Sequence, residues 1–251
     1  MKVLVVIPTF NEKDNVANLA ANIFQEIPKN LDILFVDDNS PDGTGALLDQ
    51  LSSQNPRIKV LHRKGKLGLA SAYIQGFQLG MSSSENYDWF VEMDADFSHD
   101  PKHLAEFVQI MREQTTVLGS QKISSIVGSR YIKGGGVVNW EKSRLILSRL
   151  GTLYSQFWLG YPINDWTGGF NCWSRDLVKA LRLESLKSKG YAFQIEMKFR
   201  ALVLGAKLIE APIIFQERRA GASKMSGSIV KEAIWGVMRL KMLHGDGKLF
   251  S

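Results

Sequence analysis

Cysteine is almost missing from this chain: Cys172 is the single example among 251 residues. One thiol excludes an intrachain disulfide and fits a reducing compartment. Four histidines and that lone cysteine give no zinc-ligand spacing. No apolar run approaches the roughly 18 residues of a membrane-spanning helix. The apolar opening, Met1 to Ile7, is stopped by Pro8, Asn11 and Glu12 too soon for a secretory leader. The chain is therefore expected to be soluble, or at most to lie on a membrane. A G-x-G-x-x-G fingerprint after the first apolar run is absent, as is a Walker lysine loop. Both absences argue against a dinucleotide dehydrogenase and a P-loop nucleotide hydrolase. Without an RNA-binding signature or a dense Lys/Arg run, nucleic acid is not the expected partner. There are no internal repeats or low-complexity segments.

What is present describes an ordinary globular core, 45% hydrophobic and 22% charged. The net charge of +6 favours an anionic partner such as a nucleotide or a phospholipid headgroup. The length suits one α/β domain with a small appendage. Residues 1–225 are expected to form the domain and 226–251 a C-terminal amphipathic helix.

Strand-like runs at Val3 to Ile7, Leu31 to Val36, Arg57 to Leu61, Trp89 to Met93 and Ser125 to Ser129 alternate with helical patterns. That alternation predicts βαβ units and a mostly parallel sheet flanked by helices. Further on, Lys133 to Gly136 reads as a mobile loop suited to a lid. A helix over Glu141 to Leu159 puts Ile146, Leu150, Leu153 and Phe157 on one face, and Arg144 and Ser148 together on one side. Leu208 to Phe215 reads as one strand. A closing helix is expected from about Ser226 to Leu243, with Trp235 among its polar residues.

The chain is organised around Tyr87 to Pro101, Y-D-W-F-V-E-M-D-A-D-F-S-H-D-P. A buried strand ending in Asp94 and Asp96 would place two carboxylates at the carboxyl edge of a sheet, where open α/β folds bind ligands. Spaced i and i+2 on a turn, both can face one divalent cation, and hard oxygen ligands suit Mg²⁺ or Mn²⁺. Asp is also common in turns and helix caps. Here Asp100-Pro101 already caps the following helix, so the pair is not needed for that. Glu12, Asp37 and Asp38 end two further strands. Clustered acids are costly unless a cation or a hydroxyl-rich ligand lies among them, and a nucleotide sugar with its metal satisfies both.

The stretches V-V-I-P-T-F-N-E, V-D-D-N-S-P-D-G-T, M-D-A-D-F-S-H-D-P, V-G-S-R-Y, W-x-x-x-R-x-x-x-S (Trp140 to Ser148), D-W-T-G-G-F, G-Y-A-F-Q-I-E-M and R-x-x-G-x-S-K (Arg218 to Lys224) occur in this order over nearly the whole chain. In them the chain resembles the dolichol- or polyprenol-phosphate mannose synthases, family 2 inverting glycosyltransferases with a GT-A fold. The resemblance implies that Pro8, Phe10, Glu12, Val36 and Asp38 surround the nucleoside of GDP-mannose, and that Asp94, Ala95 and Asp96 hold the metal and the diphosphate sugar. It implies that Arg130, Arg144 and Ser148 bind the phosphate of a polyprenyl or dolichyl acceptor, while Arg218 and Lys224 close over the donor diphosphate. Phe10 stands where tyrosine is common, which removes a hydroxyl contact. Ser98 stands where some members have a metal-ligating glutamine.

A lipid phosphate is already anionic near neutral pH, its second pKa being about 6. It can attack the anomeric carbon without a general base, and displacement in one step inverts that carbon. His62 and His99 are expected to serve local hydrogen bonding, Lys64 and Lys66 to be solvated, and Cys172 to be a buried apolar side chain. The Asp165 and Glu196 motifs are expected to be structural. Short members of the family act peripherally or with a small membrane-spanning partner, which implies a place on the cytoplasmic face of a membrane. The same fold with UDP-glucose or another donor is the nearest alternative. A sugar-phosphate nucleotidyltransferase would need glycines in Pro8 to Glu12, which has none.

Overall fold

Apolar runs rich in β-branched residues become strands buried on both faces, as parallel sheets require. The computed structural model describes residues 1–27, 29–117, 124–188, 190–217 and 227–250, and the side chains of all these but 114–117, 191 and 227–233. In chain order the elements are β1 (Val3–Thr9), α1 (Lys13–Glu26), β2 (Leu31–Asp37), α2 (Thr44–Gln54), β3 (Ile58–His62), α3 (Leu69–Ser82) and β4 (Trp89–Glu92). Then come α4 (Lys102–Val117), β5 (Ser124–Ser129), β6 (Gly136–Val138), α5 (Lys142–Leu159), β7 (Asn171–Ser174) and α6 (Arg175–Ala180). The chain closes with α7 (Gly190–Val203), β8 (Lys207–Pro212), β9 (Ile214–Gln216) and α8 (Gly227–Gly245).

Seven strands form one sheet in the order β3-β2-β1-β4-β7-β5-β8, and β6 pairs with β9 in a second, two-stranded sheet. Only β7 runs against its neighbours in the large sheet, antiparallel to both β4 and β5. Chain order reverses between β1 and β4, which makes their carboxyl ends the switch point where such sheets bind ligands. Register brings those ends level: Thr9 lies beside Asp37, and Val6 beside Glu92.

Alternate residues feed two core layers. Val3, Val5, Ile7 and Phe35 pack with Val16, Leu19 and Ile23 of α1 and Phe107 of α4. Leu4, Val6 and Leu34 pack with Tyr73 and Phe77 of α3 and Phe193 of α7. α3 lies so close that a Cβ on Gly76 would stand 2.4 Å from a Val6 methyl. Cys172 is buried in the first layer, as expected, and burial pushes its thiol well up. In a third cluster Val237 and Leu240 of α8 pack with Leu159 of α5 and Phe199 of α7.

Two expectations change here. Lys133 to Gly136 is a packed turn, not an open lid. Gly134 has φ +90°, and a Cβ on Gly135 would lie 2.5 Å from the Ser129 carbonyl oxygen. The run continues straight into β6. The expected strand Leu208 to Phe215 breaks into β8 and β9 at Ile213, where the chain changes partner: the Ile213 N–H donates to the Ser129 carbonyl of β5, while its carbonyl accepts from the Gly136 N–H of β6.

Candidate active site

Loops after β1, β2 and β4 meet at the switch point. Asp37 and Asp42 shape the turn after β2: Asp37 accepts from Thr9 and Ser40 hydroxyls, and Asp42 from the Thr44 hydroxyl and backbone N–H. Asp38 is left for the edge. Arg63 Nη1 lies 2.7 Å from its Oδ1, close enough to pair charges although not aligned for a hydrogen bond. Burial raises the Asp38 pKa, and Arg63 opposes that shift. Glu12 accepts from the Asn15 amide at 2.7 Å, and its own N–H donates to Thr44. Lys66 is exposed, as expected, and its Nζ sits 3.9 Å over the Phe10 ring at this edge. Pro8, Phe10, Glu12 and Asp38 thus share one edge. Val36 does not: it is fully buried beneath α3, because alternation along β2 turns its side chain into the core. The Ala95 methyl packs into the opposite core layer, leaving only its backbone at the edge.

Asp94 and Asp96 follow β4 and are both partly exposed. The Tyr73 hydroxyl lies 3.4 Å from Asp94 Oδ1, and the Asp94 N–H donates to His99 Nδ1 at 3.0 Å. His99 is stacked on Phe170 and edge-on to Phe215, so it serves local hydrogen bonding as expected. Burial and Asp94 push the Tyr73 hydroxyl well up, which keeps it a donor. Asp96 Oδ1 accepts from the Ser98 N–H at 3.0 Å. Phe97 between them has φ 61°, a conformation that side chains other than glycine rarely adopt and that concentrates at functional turns. The Ser98 hydroxyl is buried and has no hydrogen-bond partner among the described residues. Nor do three or more His, Cys, Asp or Glu gather to hold a metal among them. Two hard carboxylates beside an unpartnered hydroxyl fit a divalent cation whose remaining ligands are water and substrate phosphate, the way Mg²⁺ and Mn²⁺ are held.

Asp96, Asp100 and Glu217 line a cavity of about 180 Å³, and Glu217 leads from it to the basic side. Glu217 accepts from Arg144 Nη1 at 3.2 Å, and Arg144 stacks on Trp140 with 4.1 Å from guanidinium carbon to ring centre. Arg144 and Ser148 share the inward side of α5, as their spacing predicts. Ser148 accepts from the Tyr131 hydroxyl at 2.7 Å and lies 3.0 Å from Thr167 Oγ1. Arg130 does not present an open guanidinium. Asp165 takes its Nε and Nη2, each at 2.7 Å, and Thr167 also accepts from Nη2. Burial works against the Asp165 charge, but Arg130 and Lys198 outweigh it and hold the carboxyl below its ordinary range. Asp165, read from sequence as structural, is therefore wired into the site, and D-W-T-G-G-F was the signal for it. Tyr131 and Trp140 were read only as motif positions without a role, and Arg63 and Glu217 were given no role from the sequence. Arg218 and Lys224 lie outside the described residues.

Behind these groups runs a buried polar seam. Asn171 donates to Glu92 at 2.9 Å and to Gln194 at 2.7 Å, and burial raises the Glu92 pKa to about 7.

The family model described as "Glycosyl transferase family 2" matches residues 4–182. The chain belongs to glycosyl transferase family 2. An undecaprenyl-phosphate mannosyltransferase of Micrococcus luteus is 42% identical over 239 residues, 95% of this chain and 93% of that protein. A polyprenol monophosphomannose synthase of Mycolicibacterium smegmatis is 41% identical over 242 residues, 94% of this chain and 87% of that one. Among solved structures, a Pyrobaculum calidifontis mannosyltransferase in complex with GDP-Man and Mn²⁺ aligns with TM-score 0.62 at 18% identity, covering 99% of this chain and 69% of that chain. Mannosyl-3-phosphoglycerate synthase from Rubrobacter xylanophilus aligns with TM-score 0.63 at 20% identity, covering 99% and 76%. These likenesses show a shared α/β fold, the GT-A architecture. The family 2 match spans every site group from Pro8 to Thr167, while Glu217, Arg218 and Lys224 follow it.

Proposed function

We propose that this glycosyltransferase moves mannose from GDP-mannose to the phosphate of a polyprenyl phosphate, giving polyprenyl-phosphate mannose and GDP. One observation carries the reading. Asp96, from the carboxylate turn, and Glu217, which accepts from Arg144, line the same cavity, so the arginine stands one side chain away from the cavity that Asp96 borders. The names of the two mannosyltransferase relatives support the choice of sugar and acceptor.

Asp94 and Asp96 would hold Mg²⁺ or Mn²⁺, with Ser98 the remaining candidate ligand. When bound, the ion supplies positive charge to the leaving diphosphate. Pro8, Phe10, Glu12 and Asp38 hold the nucleoside. Arg144, Ser148 and the Arg130 unit orient the acceptor phosphate, and Arg218 and Lys224 cover the donor. An acceptor phosphate oxygen forms the new bond to the anomeric carbon, and the old bond to the diphosphate breaks with its electron pair leaving on GDP. No proton has to be removed, since the attacking phosphate is already ionised. Positioning two anions against one another is the work of the arginines. Attack from the far side inverts the anomeric carbon.

No described helix is long and apolar enough to cross a membrane. The acceptor's lipid must still be reached, and α5 offers a surface for that. Ile146, Leu150, Leu153 and Phe157 are 59%, 55%, 59% and 80% exposed, so the face with an apolar pattern looks outward. Its opposite side carries Arg144 and Ser148. With Trp235 of α8, 68% exposed, this ridge suits the interfacial zone of a bilayer. We place the protein peripherally on the cytoplasmic face, alone or with a small membrane-spanning partner.

The test is turnover of a short polyprenyl phosphate with GDP-mannose or UDP-glucose, in Mg²⁺ or Mn²⁺, following glycolipid and nucleoside diphosphate. Glycolipid from GDP-mannose alone supports the reading. Product from UDP-glucose alone replaces the donor, and no glycolipid from either overturns the acceptor. Flotation with anionic vesicles tests the ridge: Phe157→Ser with Leu153→Ser should leave the protein in the unbound fraction, and unchanged flotation would count against docking through α5.

A further inference from the structure

We propose that Lys198 is a positioning residue for the acceptor side of the site, its buried ammonium fixing the 164–169 turn that aims Asp165 at Arg130 and Thr167 at Ser148. This rests on the reading that Arg130, Arg144 and Ser148 receive the acceptor phosphate.

Lys198 stands on α7 with no exposed surface, an expensive place for a cation that an apolar side chain could fill. Its Nζ donates to the Trp166 carbonyl at 3.1 Å and the Gly168 carbonyl at 2.7 Å. From the other side Glu210 of β8 accepts the Asn164 and Asp165 N–H groups, both at 3.0 Å, and the Asn164 amide at 2.8 Å. A cation on its carbonyls and an anion on its amides clamp the turn between α7 and β8. Inside it, Asp165 Oδ1 accepts the Gly168 N–H at 2.9 Å. A Cβ on Gly168 would lie 3.2 Å from both the Asp165 carboxyl and the Gly128 carbonyl, so the turn has little room to shift. Two side chains leave the clamped turn toward the site. Asp165 grips Arg130, and Thr167 reaches Arg130 Nη2 and Ser148.

Lys198 touches none of the proposed acceptor groups, so its influence passes through the turn. Burial lowers its pKa to about 8; Asp165, Glu92 and Glu210 pull it up, and Arg130 pushes it down. The ammonium is therefore present near neutral pH, and its charge is lost as pH rises past that value.

The experiment compares Lys198→Met with wild type in acceptor KM, donor KM and kcat, together with the wild-type acceptor KM from about pH 7 to about pH 9.5. The expected result is an acceptor KM raised about tenfold or more, with donor KM within about twofold. In wild type the acceptor KM should climb with pH, while the variant stays flat. With a second pKa of about 6, the lipid phosphate is at least about nine-tenths doubly ionised over this range and only gains dianion as pH rises, so a rising acceptor KM belongs to the protein. A purely structural Lys198 would lower the active fraction and leave both KM values alone, and that outcome overturns the proposal. If Lys198→Met does not fold, the wild-type profile decides, a flat acceptor KM overturning it. If wild type gives no glycolipid, the acceptor reading has failed instead. Amide exchange at Asp165 and Gly168, corrected for intrinsic rates, then tests the clamp: protection lost above about pH 8 supports it, and unchanged protection overturns it.

Discussion

Asp165 holds Arg130 by three hydrogen bonds at once. Its Oδ2 accepts from the Arg130 backbone N–H at 3.0 Å and from Nε at 2.7 Å, and its Oδ1 accepts from Nη2 at 2.7 Å. The carboxylate is fully buried and the guanidinium nearly so. Arg130 follows β5 directly, and Asp165 lies in the turn that leads to β7, the neighbour of β5 in the sheet. The pair therefore ties the start of the basic side to the sheet that carries the carboxylates. A guanidinium held by this planar fork keeps one orientation, which suits it to placing charge accurately.

Replacing Asp165 with Asn keeps the shape and removes the charge. Arg130 is then buried without its counter-charge, and removing one partner of a buried pair costs about 3–5 kcal/mol. Denaturant unfolding near neutral pH should show that loss. Because the folded Asp165 pKa lies below the ordinary 3.8, its stabilisation is complete above that value and lost as pH falls through the folded value. The gap between wild type and Asp165→Asn should accordingly close in acid. A gap that is the same at neutral and strongly acid pH would mean that the ion pair is not its source.

Arg144→Lys tests the planar cation on Trp140. Lysine keeps the charge but loses the stacking face and the fork that receives phosphate through two bonds. Acceptor KM should rise about tenfold with donor KM unchanged, a loss of about 1.4 kcal/mol in acceptor binding. Unaltered kinetics would show that Arg144 serves only its contact with Glu217.

Much of this molecule could be read from the chain. The alternation of apolar runs and helical patterns gave the parallel strands, and Asp94 and Asp96 fell where a strand-end pair was expected. Harder to read were pairings between distant segments. Nothing local says that Asp165 will meet Arg130, 35 residues away, because that contact exists only once β7 runs antiparallel between β4 and β5. Val36, which the resemblance set beside the nucleoside, has its side chain beneath α3, because period-2 alternation turns it into the core. The glycines of 134–136 suggested mobility, whereas the close approach of Ser129 explains why at least Gly135 is needed.

Two glycines with opposite surroundings test the packing. A Cβ on Gly76 would come within 2.4 Å of Val6 in the core, whereas one on Gly151 would make ordinary contact with a Thr167 methyl at 3.6 Å. Overpacking of a filled core costs about 1–3 kcal/mol. Alanine for glycine inside a helix gains roughly 0.5–1 kcal/mol. Gly76→Ala should therefore lower the unfolding midpoint and Gly151→Ala raise it. Equal shifts of one sign would contradict the tight seating of α3 and the looser seating of α5.

Asp94→Asn and Asp96→Asn separate metal binding from folding. Both carboxylates are partly exposed, and Asp94 meets Tyr73 only at 3.4 Å, so neither change empties a core or strands a buried charge. Unfolding midpoints should stay near wild type. Each variant removes one of two hard ligands, so Mn²⁺ titrated in the presence of GDP should bind much more weakly. Transfer should fall by about 10²–10³-fold, the scale of losing a preorganised electrostatic contact to a leaving group. Full Mn²⁺ binding in both variants, with activity lost, would move the ion away from this turn and leave the carboxylates in contact with the sugar instead.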